Sequence, residues 1–237
     1  MNAGPPPVDT HDSTNVLPED RSALAGGAMN QRLIIIGAGG FGREVMVYAE
    51  DCGTFNLKGF LDSRSHILDG YGRRLGIIGD PLTYEPVPGD TFICALGSPA
   101  ERRTYAQPIL ERGGVFATIR HPKSAMTIYS TLGQGCILAP HVGISCDVRI
   151  GDFVSLNEYA IVGHDARIGD WCQINGHVTI AGGAEIGPLV TIHPNSVVLS
   201  GARIGEGVTV GAGSVVAGRI PAGVTVMGNP ARRFSYK

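Results

Sequence analysis

Between residues 132 and 216 the hydrophobic positions keep a period of six: Leu132, Leu138, Ile144, Ile150, Leu156, Val162, Ile168, Ile174, Ile180, Ile186, Ile192, Val198, Ile204, Val210 and Val216, with no insertion. Four residues after each of the first fourteen stands a small residue or a valine, from Cys136 and Val142 through Ala166 and Cys172 to Val208 and Ser214. Glycine often follows the aliphatic, as at Gly133, Gly151, Gly163 and Gly169, and lets the backbone turn sharply there without a Cβ clash. A period of six fits neither a 3.6-residue helix nor a heptad. It predicts a short flat strand and a turn, repeated around a prism with the aliphatics pointing inward. Three faces close one coil of about 18 residues, so the fifteen hexapeptides predict about five coils, stacked at the ~4.8 Å strand spacing.

Ahead of the repeats the pattern changes. Residues 32–42, RLIIIGAGGFG, read as an apolar strand running into a glycine turn, and 43–51 as a helix whose N-terminus can cradle phosphate. Further strands are predicted at 57–61, 91–96 and 114–118, with a helix over 99–111. Gly37, Gly39 and Gly42 with Asp62, about 20 residues on, satisfy the dinucleotide-binding spacing. Four strands in about 90 residues make only half of a doubly wound dinucleotide domain, which argues against a nicotinamide enzyme. The expected organisation is a leader at 1–30, a small Rossmann-like α/β head at 31–120 and a β-helix with its cap at 121–237.

Composition narrows the function classes. With 35 glycines and one Trp in 237 residues the chain favours many tight turns over long helices. A formal charge of −2 without a Lys/Arg block argues against nucleic-acid or anionic-membrane binding. The five cysteines form no C-x-x-C pair and are odd in number, which fits a reducing cytoplasm better than a disulfide framework. No stretch is apolar enough to span a bilayer. The first 30 residues, with a PPP run and His11 but no basic start before an apolar stretch, read as a disordered leader, with Met29 as the expected functional start.

The repeat region resembles the hexapeptide-repeat acyltransferases, a resemblance that implies a left-handed parallel β-helix and a homotrimer. Residues 219–237, RIPAGVTVMGNPARRFSYK, look like the closing segment of that family, which lies along coenzyme A. Arg232 and Arg233 are then the expected partners of its phosphates. A half-size head on such a helix is similar to the bacterial sugar acetyltransferases of the sialic-acid, bacillosamine and perosamine pathways. The matching stretches are GAGGFGREV (37–45), GFLD (59–62), ALGSPAERR (95–103) and HPKSAM (121–126). The resemblance implies a head that holds a nucleotide-linked sugar. It makes Gly37, Gly39, Gly40, Asp62, Gly97 and Arg102 substrate-binding candidates, and Ser63 stands where several relatives carry a second Asp.

Acetyl transfer from a thioester needs a base for the nucleophile's proton and donors for the tetrahedral oxyanion. Of seven histidines only His164 precedes a carboxylate, Asp165, and its place two residues after Val162 puts it at a turn rather than on the inward ladder. Asp165 can orient the ring and stabilise its imidazolium form. Residues 156–170, LNEYAIVGHDARIGD, resemble the family's catalytic coil, which carries over Asn157 as a substrate contact beside His164 and Asp165. One coil of about 18 residues stacks Gly182 on His164, then Ser200 and Gly218. Their small size leaves a groove for pantetheine, and the Gly182 N–H faces the thioester carbonyl. His141, His177 and His193 are read as structural, and Cys172, in a small inward slot, is not a nucleophile.

The function expected is direct, acetyl-CoA-dependent N-acetylation of a nucleotide-linked amino sugar, with acetyl-CoA as cosubstrate and no metal. A sialic acid or other sugar O-acetyltransferase and a non-catalytic sugar-nucleotide scaffold are the alternatives. A zinc-dependent β-helical carbonic anhydrase is disfavoured, because His164, His177 and His193 lack the close spacing of a ligand pair.

Overall fold

The structure, a computed structural model, describes residues 31–234. The expected leader at 1–30 lies outside the described residues, with His11 and Met29. The chain enters as an α/β head: β1 (Gln31–Ile36), α1 (Gly40–Cys52), β2 (Phe55–Leu61), β3 (Ile77–Gly79), β4 (Asp90–Cys94), α2 (Pro99–Glu111) and β5 (Val115–Phe116). These strands form one sheet in the order β3-β2-β1-β4-β5, every pairing parallel. Strand order therefore reverses at β1, the place where open α/β sheets leave a crevice at their carboxyl ends. The head has five strands rather than the four expected; the extra one, β3, is only three residues long, too short to stand out as a pattern. Gly42 fixes how α1 meets β1, since a Cβ there would stand 1.9 Å from the Gly37 carbonyl oxygen. Ser98 caps α2 by accepting a hydrogen bond from the Glu101 N–H at 3.4 Å, and Pro99 follows in the first turn, where its missing N–H costs nothing.

From Ile119 onward the chain winds into the three-faced parallel β-helix, its sheets holding six, six and eight strands. Coil stacks on coil eighteen residues apart, as in the pairs Val162↔Ile180 and Ile168↔Ile186. The ladder aliphatics from Leu138 to Val216 are all buried, as are the small or valine residues four positions after each of them up to Val210, while Leu132 at the open end is half-buried. The helix runs about one coil longer than the hexapeptides predict. The added first rung, Ile119–Arg120, puts Arg120 where the ladder calls for an aliphatic. At the other end Arg203 pairs with Arg219, two residues early, so the last rungs fall out of phase.

The corners also differ from expectation. The turning residue is the third after each aliphatic, which takes left-handed φ values of 55–68° in all the hexapeptides from Gly135 to Gly213, nine of them at non-glycine residues such as His141, Asp165 and Trp171. The glycine next to the aliphatic has another role. At Gly163 a Cβ would come within 2.6 Å of the Gly182 nitrogen, so this position lets the next coil's backbone pack close.

The head sits on one face of the helix and the two corners beside it. Ile119, Ile137, Ser155 and Gln173 on that face are buried. Phe116 packs edge-on against Phe153, which stacks on Trp171 with ring centroids 4.1 Å apart. At the second corner the Tyr48 hydroxyl donates to the Glu158 carboxylate, and buried His121 meets Asp51 at 3.0 Å. The joint is completed by Arg102, fully buried. Its guanidinium donates to the carbonyls of Leu96 (2.9 Å), Phe153 (2.8 Å) and Cys172 (3.2 Å), and to the Gln173 side-chain oxygen. Arg102 thus ties head to helix, buried in the joint rather than lining the head cavity where the sequence reading placed it. Its truncation strands several buried acceptors at once. Arg102→Ala is expected to lower the unfolding free energy by roughly 3–5 kcal/mol, measured by urea denaturation, against no more than about 0.5 kcal/mol for the exposed neighbour Arg103→Ala.

Candidate active site

The third corner, remote from the head, carries the histidine and carboxylate expected to do chemistry. His164 Nδ1 lies 2.7 Å from Asp165 Oδ2, with both side chains about two-thirds exposed. Asp165 occupies the left-handed corner position (φ 61°), which bends the chain so that neighbouring side chains meet. With Nδ1–H donating to the carboxylate, Nε2 becomes the basic nitrogen. That nitrogen points at the coil above. A Cβ on Gly182 would stand 2.6 Å from Nε2, so the imidazole lies directly under a bare stretch of backbone, as the stacking predicted. The corner is held by hydrogen bonds from Asp165 N to Cys146 O (3.1 Å), Gly183 N to His164 O (2.8 Å) and Gly201 N to Gly182 O (3.1 Å).

Above His164 this corner carries small residues apart from the exposed Leu199. Ser200 is exposed, and Cβ atoms placed on Gly183, Gly201 or Gly218 would meet nothing within 4 Å. Gly218 is not above Ser200 as expected. The shortened coil gives it the left-handed turn (φ 68°) that Gly201 makes below, so it is the corner's turning residue. Beside the corner runs a shallow groove of about 750 Å³ flanked by Arg149, Arg167, Arg203 and Arg219, with Glu185 paired to Arg203 at 3.3 Å. Arg232 stands elsewhere. It belongs to the antiparallel pair that Arg232–Arg233 makes with Thr225–Met227, at the end of the head-bearing face, and is not brought alongside Ser200 and Gly218. Asn157 lies at the corner before His164, its side-chain oxygen accepting from Gln173 Nε2 at 3.2 Å.

The head has its own cavity, of about 270 Å³, at the crevice beyond β1 and β2. Gly37 and Asp62 line it. Gly37 needs to be glycine there: φ is 94°, and a Cβ would meet Leu96 at 2.7 Å. Gly39 caps α1 and Gly40 opens it, while Gly97 is exposed in the turn before α2 with open space around it. Asp62 accepts from the Ala38 N–H (2.9 Å), from the Arg64 N–H (3.0 Å) and from the Arg64 guanidinium through both carboxylate oxygens (2.9 Å each). Burial alone would raise its pKa; the Arg64 guanidinium and the two N–H groups outweigh that and hold the carboxyl below its ordinary range. Arg64, Glu101 and Tyr105 also line the cavity. Sequence reasoning did not single them out, although Arg64 follows Asp62 by two residues, and Glu101 and Tyr105 share one face of α2. Head cavity and His164 are not brought together within one chain: the helix prism separates the head-bearing face from the third corner.

Residues 32–109 match the family described as PglD N-terminal domain, and 147–182 and 183–218 match bacterial transferase hexapeptide (six repeats). The head therefore matches the PglD N-terminal domain and the β-helix the bacterial transferase hexapeptide repeat. GDP-perosamine N-acetyltransferase of Escherichia coli O157:H7 is 32% identical over 137 residues, 55% of this chain and 61% of that protein, so the chain spans about three-fifths of its length. Among solved structures, the acetyltransferase domain of PglB from Neisseria gonorrhoeae FA1090 is 29% identical with a TM-score of 0.81, covering 86% of this chain and 100% of that one. The same domain has been solved in complex with acetyl coenzyme A. PerB from Caulobacter crescentus, in complex with CoA and GDP-perosamine, is 27% identical with a TM-score of 0.78 over 86% of this chain and 97% of that one.

The contact between Gly182 and the imidazole yields a steric prediction. In Gly182→Ala the new methyl displaces His164 or closes the groove above it. Acetyl-CoA turnover, assayed by thiol release, is expected to fall at least ~10-fold while the thermal unfolding midpoint stays within a few degrees; the equivalent change at the open Gly183 position would strain the backbone instead and lower that midpoint.

Proposed function

We propose that the protein transfers the acetyl group of acetyl-CoA to the amine of a nucleotide-linked amino sugar, by direct attack with His164 as general base. The observation that carries this reading is the His164–Asp165 pair lying under the bare Gly182 backbone, at the foot of a corner of mostly small residues. Asp165 holds the Nδ1–H, leaving Nε2 to take the proton from the attacking amine, and stabilises the imidazolium that results. Gly182 N–H, without an acceptor among the described residues, is the donor available to the thioester oxygen as it becomes an oxyanion. The C–N bond forms to give a tetrahedral intermediate, its collapse breaks the C–S bond, and the imidazolium returns its proton to the departing thiolate. No acyl-enzyme is needed.

Several features fit coenzyme A as the cosubstrate. Gly182, Gly183, Ser200 and Gly201 leave room for the pantetheine arm at the corner, and the arginines at 203 and 219 flank it as partners for phosphate. The relatives with CoA, acetyl coenzyme A and GDP-perosamine bound support the same pair of substrates. Because the head cavity and His164 stand on opposite sides of one β-helix, the site is complete only when a neighbouring copy brings its head or its corner, and a homotrimer answers that need. Five unpaired cysteines and the nature of the substrates suit the cytoplasm, where such acetylated sugars supply polysaccharide assembly.

Thiol release from acetyl-CoA with a panel of nucleotide-linked amino sugars and free sialic acid tests the reading. Wild type is expected to turn over a nucleotide-linked amine, and His164→Ala to lose at least ~100-fold in kcat. Turnover on sialic acid alone would replace the acceptor, and an undiminished variant would remove His164 as the base.

A further inference from the structure

We infer that Gln173, oriented by Arg102 of the head, is a positioning residue that turns the Asn157 amide so that its N–H donors face the substrates, where they hold an oxygen of the acceptor sugar or of the acetyl thioester. The inference rests on the proposed acetyl transfer. It adds that seating of the head on the helix sets the polarity of a substrate contact.

The hydrogen bonds run in one direction, set at their buried end. Arg102 is fully buried, and its partners are the carbonyls of Leu96, Phe153 and Cys172 and the side chain of Gln173, none of them a carboxylate. Burial pushes its pKa down to about 10, so at neutral pH it remains a guanidinium, which donates and cannot accept. Gln173, only 3% exposed, therefore turns Oε1 toward Arg102 and leaves Nε2 facing the other way. That nitrogen has two hydrogens and two partners: Asn157 Oδ1 at 3.2 Å and Asn175 Oδ1 at 3.3 Å. Each asparagine is thereby held with its oxygen toward Gln173 and its amino group away from it.

The two asparagines stand eighteen residues apart, at equivalent places in successive coils, yet their amino groups differ in use. Asn175 Nδ2 donates to the Ile192 carbonyl at 3.0 Å, which closes that branch inside the fold. Asn157 Nδ2 has no acceptor among the described residues, and the side chain is partly exposed at its corner. The two ends of a primary amide have nearly the same shape, so the bond from Gln173 alone decides which end of Asn157 faces out. Glu158, the carboxylate next to it in sequence, accepts instead from the Tyr48 hydroxyl of α1 and is drawn away from those donors. The head thus acts on this corner twice, through Arg102 and Gln173 on Asn157, and through Tyr48 on Glu158. What the corner presents is a donor pair of fixed orientation. Its partner is an oxygen lone pair, which a sugar hydroxyl or ring oxygen offers, as does the thioester carbonyl when charge develops on it.

Gln173→Glu inverts the relay without removing it. The carboxylate still accepts from Arg102, now as an ion pair, but it offers Asn157 only an acceptor, so that amide rotates to donate inward and presents Oδ1 to the substrates. The thermal unfolding midpoint of the full-length variant is expected to stay within a few degrees of wild type. Its kcat/KM in the thiol-release assay is expected to fall at least ~10-fold, because an acceptor then faces an acceptor. A loss carried by the KM of the amino sugar assigns the oxygen to the sugar, and a loss in kcat at unchanged KM assigns it to the thioester. Asn157→Asp, which still accepts from Gln173 but presents oxygen outward, is expected to match that loss at a position where folding is little disturbed.

A double-mutant cycle separates positioning from mere structure. In an Asn157→Ala background, Gln173→Glu is expected to cost no more than ~2-fold, since its effect passes through Asn157, whereas a purely structural role costs the same in both backgrounds. An undiminished Gln173→Glu or Asn157→Asp enzyme, or a full Gln173→Glu effect persisting without Asn157, would overturn the relay and leave acetyl transfer standing. Wild type silent on every acceptor would overturn acetyl transfer, and this inference with it.

Discussion

Everything in this molecule depends on a corner geometry repeated every six residues. At each corner one residue adopts left-handed φ, and at most corners its N–H bonds to a carbonyl of the coil below, as Asp165 does to Cys146, Trp171 to Asp152 and His177 to Glu158. A non-glycine residue in that conformation costs roughly 1–2 kcal/mol, and nine are placed there. The backbone hydrogen bond and burial of the neighbouring ladder aliphatic offset the strain, and a coil of constant length results. Constant length is what makes distant residues stack. His164 lies beneath Gly182 because no coil between them gains or loses a residue.

The same constraint explains where sequence reasoning reached and where it stopped. Period, inward ladder and small slots were legible because burial selects side chains strictly, and a regular backbone repeats the selection. The corner residue was not, since His141, Asp165, Trp171 and Leu189 share a conformation but no chemistry. Glycines beside the aliphatics drew attention as turning points, whereas Gly163 serves the approach of the next coil. At the ends the pattern faded for local reasons: Arg120 in a ladder position, and a two-residue contraction before Arg219.

The site divides in the same way. His164, Asp165 and Gly182 were legible because they lie within the periodic region, where position implies neighbours. Arg102 was misread, since its motif lies in the head while its partners Phe153, Cys172 and Gln173 lie in the helix, a tertiary pairing that no local pattern encodes. Arg64 and Glu101 escaped notice for a related reason. They face one cavity from segments 37 residues apart, joined only by the order of strands in the sheet.

On the proposed function, the β-helix and the switch-point cavity would each provide half of a two-substrate site. The prism carries the His164–Asp165 corner on one side and accepts the head on the other, with Arg102 and the Phe116–Phe153–Trp171 stack holding that relation. In the proposed trimer, the distance between the two halves would be a property of assembly rather than of chain flexibility. On that reading, chemistry constrains one corner of the helix and the acceptor one crevice of the head. The repeat between them can vary on its outer surface as long as each coil keeps its length.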